Sequence, residues 1–170
     1  VCGGSINSAS LDSLGVAELV VGGVDAAYAK VYYGMSQMDI YIEKGDKATI
    51  SFDANDPSGT FAFEGKKKEA VEYLHNVTLT ALPDETYALP FDEYLGKLEG
   101  KMNDAVKLLE ANAVKGAGDF VEMEKARIRY SYATPILMYP VGHMLMAQEP
   151  DYMPDAKYYE ALREYFVCDE

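Results

Sequence analysis

Between Ala27 and Glu64 apolar and polar residues alternate, whereas from Lys66 onward apolar residues recur every three or four positions. This change of period near Gly65 predicts an α+β chain, strands first and helices after. Ala17 to Val21 is a short apolar run closed by Gly22-Gly23 and reads as a strand. Ala27 to Tyr33 alternates, with Ala29, Val31 and Tyr33 on one face and Tyr28, Lys30 and Tyr32 on the other. Met38, Ile40 and Ile42 point one way and Asp39, Tyr41 and Glu43 the other. Glu43-Lys44-Gly45-Asp46 then offers a turn, and Ala48, Ile50 and Phe52 resume inward, so these two runs are expected to form a hairpin. Asn55-Asp56-Pro57-Ser58-Gly59 is a second turn, followed by Phe61 and Phe63 on the buried side of a last strand. The expectation is an antiparallel meander of four to five strands, with one apolar face in need of a cover.

The cover is expected from about four helices. Lys66 to Thr80 carries Val71, Leu74, Thr78 and, just beyond, Leu82 at helical spacing, and Pro83, Asp84 and Pro90 frame a loop. Phe91, Tyr94, Leu95, Leu98, Met102, Ala105, Val106 and Leu109 form one stripe, in which Gly96 and Gly100 suggest close helix packing. The stop falls at Lys115-Gly116-Ala117-Gly118. Asp119 is the expected N-cap of a third helix, with Glu122 and Glu124 near its positive end. That helix is apolar on two faces, one with Phe120, Met123, Tyr130 and Leu137, the other with Ile128, Tyr132, Ile136 and Tyr139, which predicts a central position. Pro135 and Pro140 should kink or break it. A last helix spans Asp155 to Phe166, with Tyr158, Tyr159, Leu162, Tyr165 and Phe166 on a stripe. The pattern divides the chain into a tether at 1–15, a β part at 16–65 and a helical part at 66–170 packed on it as one structural unit.

Charge narrows the partners. Lys and Arg number 15 against 28 Asp and Glu, a net charge of −13, which repels phosphate backbones and makes nucleic acid a poor partner. The acidity is spread evenly, −6 over residues 1–64 and −7 over 65–170, without a charged tail. No apolar run reaches 18 residues, so no transmembrane segment is expected. Cys2 and Cys168 belong to no Cys-x-x-Cys pair. Val1-Cys2-Gly3-Gly4-Ser5 resembles the acylated cysteine and small-residue linker of a bacterial lipoprotein, although Val1 is larger than the residue that usually precedes such a cysteine. Cys2 and Cys168 stay open as free, paired or acylated.

No residue cluster demands chemistry, and no catalytic, cofactor-binding or metal-binding residue is assigned. His75 sits on the covering helix without a carboxylate or cysteine at ligand spacing. His143 follows Pro140 and Gly142 in a loop-like stretch beside Met144 and Met146, where thioethers fill core gaps more often than they bind metal. One of Arg127 and Arg129 should face inward and form a structural ion pair, with an anion site as the rarer reading. The 14 tyrosines can stack on sugars or peptides but more often bridge core and water. Gly116-Ala117-Gly118 does not follow a strand and is no dinucleotide loop. Asn76-Val77-Thr78 matches a glycosylation sequon but falls inside the expected helix.

The order of pieces resembles the amino-terminal accessory domain of the thiol–disulfide oxidoreductases of the TlpA/ResA kind found in Bacteroidetes. The matching stretches are Met38 to Asp53, Phe61 to Gly65, Tyr73-Leu74, Phe91 to Leu95 and Phe120 to Pro140, within a likeness running from about residue 17 to residue 166. The resemblance implies a β-plus-helix domain preceded by a signal or lipoprotein leader and followed by a thioredoxin domain. It also implies a cell-envelope or periplasmic location. The family's redox activity resides in a Cys-x-x-Cys of the thioredoxin domain, which this sequence lacks, so no catalytic residue carries over. The expectation is a fragment: a non-catalytic accessory or interaction domain that positions a downstream thioredoxin domain or recognises its clients. The alternative is an envelope protein that binds a small ligand or carbohydrate in a tyrosine-lined groove.

Overall fold

The computed structural model describes residues 6–23, 25–79, 81–112 and 119–166. Cys2, Cys168 and the glycine stop at 115–118 lie outside the described residues. The order is four strands, β1 (Ala26–Tyr33), β2 (Ser36–Glu43), β3 (Ala48–Ser51) and β4 (Ala62–Gly65), then four helices, α1 (Lys68–Asn76), α2 (Phe91–Ala111), α3 (Phe120–Met146) and α4 (Ala156–Phe166). The fold is α+β, as the change of period predicts. The chain divides into two compact units between Lys66 and Lys67.

In the β unit the four strands form two antiparallel hairpins, β1 with β2 and β3 with β4. The expected hairpin of Met38–Ile42 with Ala48–Phe52 does not form. β2 pairs instead with β1 along eight residues, Ala26 opposite Glu43 through Tyr33 opposite Ser36, whereas β3 offers only four. The longer ladder satisfies more backbone groups. Gly34, at φ 59°, opens the two-residue β1–β2 loop, a position where positive φ matches the twist of the strands. The Glu43–Asp46 turn is present, with Asp46 N–H on the Glu43 carbonyl at 3.0 Å, but it joins two separate hairpins.

Met38, Ile40 and Phe63 are buried and Thr49 is exposed, as the alternation requires, while Ile50 and Phe52 are half-buried. Tyr41 breaks the parity. Expected outward with Asp39, it is fully buried, edge-on to Tyr28 across the ladder at 5.7 Å, its hydroxyl donating to Glu43 Oε1 at 2.9 Å. Leu14 to Val21 forms no strand. Leu14, Val16, Leu19, Val20 and Val21 are all exposed, and Asp12 Oδ1 accepts from the Leu14 and Val16 amides.

In the helical unit α3 packs on α2, α4 and the 3-10 turn Asp84–Ala88, which occupies the expected loop. α1 stops at Asn76, four residues early, because Val77 turns extended and begins the sequence Val-Thr-Leu-Thr, whose β-branched side chains resist helix. α2 buries Phe91, Tyr94, Leu98, Ala105 and Leu109 of its expected stripe. Gly96 and Gly100 meet nothing within 4 Å, so they mark no close packing. α4 buries Tyr158 and Tyr165 but leaves Tyr159 and Phe166 exposed.

α3 differs most from expectation. It runs unbroken for 27 residues through Pro135 and Pro140, so the predicted break between residues 131 and 142 is absent. The prolines cannot donate to the carbonyls of Ser131 and Ile136. Tyrosines of the flanking helices donate to carbonyls in the same stretch: Tyr94 Oη to Pro135 at 3.2 Å and Tyr158 Oη to Leu137 at 3.3 Å. Packing on three sides holds the rest. Phe120, Ile128 and Tyr132 are buried as predicted, but the face that starts with Phe120 is left open further along: Tyr130 and Leu137 are each 52% exposed. Asp119 precedes the first turn without a side-chain cap.

Candidate functional site

The helical unit gathers one dense polar–aromatic cluster. Tyr87 comes from the 3-10 turn, Phe91 and Tyr94 from α2, Tyr139 and His143 from α3, and Tyr152 from the segment after it. Tyr139 is the hub and is fully buried. Its ring lies 4.9 Å from Tyr94, 5.0 Å from Phe91 and 6.0 Å from Tyr152, and Tyr87 stacks on Tyr94 at 5.0 Å. Gly142 makes room for Tyr87, since a Cβ there would sit 2.5 Å from the ring. The pattern Tyr139, Gly142, His143 on one helical turn is thus a seat for the 3-10 segment. His143, expected in a loop, is helical and buried, one turn along from Tyr139.

The hydrogen bonds place a proton on Nδ1 of His143. Its Nδ1 lies 2.8 Å from the Tyr87 carbonyl and 3.0 Å from Tyr139 Oη. A carbonyl only accepts, so Nδ1 carries the proton and donates to it. The Tyr139 hydroxyl in turn donates to the Leu89 carbonyl at 2.7 Å. Nε2 faces Glu149 Oε2 at 3.7 Å. Tyr152 covers the imidazole at 4.4 Å and edges an open depression lined by Gln148, Glu149, Pro150 and Asp151. The backbone there is held left-handed: Gln148 has φ 60°, and Glu149 N–H reaches back to the Met144 carbonyl at 3.2 Å, closing the C-terminus of α3. Burial pushes the phenols of Tyr94 and Tyr139 well above their ordinary range, with further upward pushes from neighbouring tyrosines. Both stay neutral donors.

A second polar group lies at the start of α3. Glu124 is fully buried and bridged by Arg127, whose Nε and Nη2 reach its two oxygens at 2.7 and 2.6 Å. This is the structural ion pair expected of the inward arginine. Arg129 is exposed, its Nη2 donating to the Glu164 carbonyl at 2.5 Å. Glu124 itself was expected to serve only the helix end; its spacing of three from Arg127 inside an apolar pattern was the available signal. Tyr73 on α1 stands edge-on to Phe120 at 5.9 Å. Burial, and then the charge of Glu124, pushes its phenol up to about 12.

The other candidates remain apart. His75 and Asn76 are exposed at the end of α1, so the sequon sits at a helix terminus instead of inside a helix. Among the described residues no group of three or more His, Cys, Asp or Glu could hold a metal ion, and no helix is long and apolar enough to cross a membrane. Chemically, the polar atoms of Tyr94 and Tyr139 and Nδ1 of His143 are engaged with main-chain carbonyls. Compared with protein-family models, curated proteins and solved structures, the chain matches none of them.

Proposed function

We propose that the chain is a non-catalytic accessory module of a cell-envelope thiol–disulfide oxidoreductase, which positions a thioredoxin domain or recognises that enzyme's clients. The observation that carries the reading is the open face of α3. From Tyr130 to Met146 the helix contains no Asp, Glu, Lys or Arg, yet Tyr130, Leu137, Met138, Val141, Leu145 and Met146 are each at least 46% exposed. A contiguous uncharged surface of this kind suits a macromolecular contact better than it suits catalysis. The bonding of the tyrosine cluster supports the same reading, because its hydroxyls hold the 3-10 turn and α2 onto α3. Isotope-labelled chain titrated with a purified TlpA-type thioredoxin domain should show amide shifts along α3, and no shift at millimolar domain would overturn the reading. A second reading, a small-ligand or carbohydrate-binding envelope protein, draws on Tyr152 at the edge of its open depression. Quenching of tyrosine fluorescence by an oligosaccharide, lost in Tyr152→Ala, would favour it.

A further inference from the structure

We propose that Met138 and Met146 form an oxidation site on the open face of α3, where a peroxide converts their thioethers to sulfoxides and turns that face reversibly from apolar to polar. The inference rests on reading α3 as a contact surface and names how the contact is regulated. Exposure sorts the eight methionines of the chain. Met38 is buried at 1%, Met102, Met123 and Met144 are half-buried, and Met138 and Met146 are 48% and 46% exposed. Met35 and Met153 are more exposed still, but Met35 sits in the β1–β2 loop and Met153 lies beyond the end of α3.

Partial exposure of Met138 and Met146 lets an oxidant reach the sulfur and lets water hydrate the new oxygen while the helix stays folded. On Met38 the same oxygen would be buried without a partner. Along the helix Met138 is followed one turn on by Val141 and two turns on by Leu145, both exposed, and Met146 adjoins Leu145 at the end of the face. No Asp, Glu, Lys or Arg lies between Tyr130 and Met146, so the two sulfoxides would be the strongest exposed dipoles on that surface. In the oxidation a sulfur lone pair attacks one peroxide oxygen. The S–O bond forms as the O–O bond breaks, the proton of the transferred oxygen passes to the departing one, and water leaves. Sulfur loses the two electrons that the peroxide gains. The return consumes two thiols, yields a disulfide and water, and is the reaction of a methionine sulfoxide reductase.

Hydrogen peroxide on the full chain, followed by peptide mass mapping, should convert Met138 and Met146 after Met35 and Met153 but before Met38. Conversion of Met38 first would overturn the proposal. The effect on the face is read in a Met35→Leu, Met153→Leu background, by native hydrophobic-interaction chromatography and by binding to a purified TlpA-type thioredoxin domain. Oxidation should bring earlier elution and binding weaker by about tenfold or more, with helical circular dichroism retained. A methionine sulfoxide reductase with a dithiol should restore both. Adding Met138→Leu and Met146→Leu should abolish both changes, and Met138→Gln with Met146→Gln should reproduce them without oxidant. Unchanged elution after both methionines are oxidised, or a shift that persists with both leucines in place, overturns the proposal. A reduced chain that does not bind the domain defeats the function reading alone, because elution still reads the oxidation site.

Discussion

The β unit and the helical unit spend their aromatic residues differently. In the β unit Tyr28 stands edge-on to Tyr41 at 5.7 Å and Tyr33 lies 5.1 Å from Phe52, which remains half-buried. Two-stranded hairpins have little interior of their own. In the helical unit Tyr139 alone meets Tyr87, Phe91, Tyr94, His143 and Tyr152. Two helices, the 3-10 turn and the segment after α3 converge there, and a ring at the convergence excludes water from several others at once. The comparison teaches that similar residue types mark a cross-strand pair such as Tyr28 with Tyr41 in one unit and a many-sided knot in the other.

The largest expected effect follows from that knot. Tyr139→Ala should destabilise the helical unit by about 3–5 kcal/mol, the range for deleting a buried aromatic, while Phe52→Ala should cost about 1–2 kcal/mol because its ring is already half in water. Urea unfolding followed by helical circular dichroism reads the first, and amide exchange within β3 and β4 reads the second. Equal losses would break the contrast. Next comes the buried ion pair: Arg127→Met removes the bidentate partner of Glu124 and should cost about 3 kcal/mol, since an interior carboxylate loses its neutralising charge. A loss under about 1 kcal/mol in urea melts at pH 7 would show that other groups satisfy Glu124.

Two glycines sharpen the picture within the helical unit. Gly142→Ala forces a methyl toward the Tyr87 ring and should cost about 1–3 kcal/mol, as overpacking does. Gly96→Ala meets open space and should stabilise α2 by about 0.5–1 kcal/mol through helix propensity. Thermal melts of the two variants should therefore move in opposite directions.

The last effect is silent at neutral pH. Tyr73 and Tyr165 have phenols pushed up to about 12 from an ordinary 10.0, chiefly by burial. The folded state thus holds these protons more tightly than the unfolded chain. Their contribution to stability is complete below pH 10 and declines as pH rises from 10 through about 12. Phenolate absorbance from these residues should rise together with loss of helix over that window, and Tyr73→Phe should reduce the pH dependence. A steep alkaline loss of helix that is unchanged in Tyr73→Phe and Tyr165→Phe would assign it to other groups.

The sequence by itself determined the period of each segment and thus the α+β order, because alternation and helical recurrence follow from the geometry of a single strand or helix. The stripe of α2, the burial of Phe120, Ile128 and Tyr132, and the inward arginine were legible for the same reason. Tertiary structure decided what depends on partners distant in sequence. β2 chose β1 over β3 because pairing length is a property of two strands together. α3 runs on through its prolines within packing from α2, α4 and the 3-10 turn, whose tyrosines Tyr94 and Tyr158, 41 and 21 residues away in sequence, bond the Pro135 and Leu137 carbonyls. His143 became a buried linchpin because Tyr87, 56 positions earlier, presents a carbonyl to it. Whether an apolar face is covered also lies outside any local pattern: Tyr132 and Tyr130, two residues apart on one helix, differ only in which neighbours arrive.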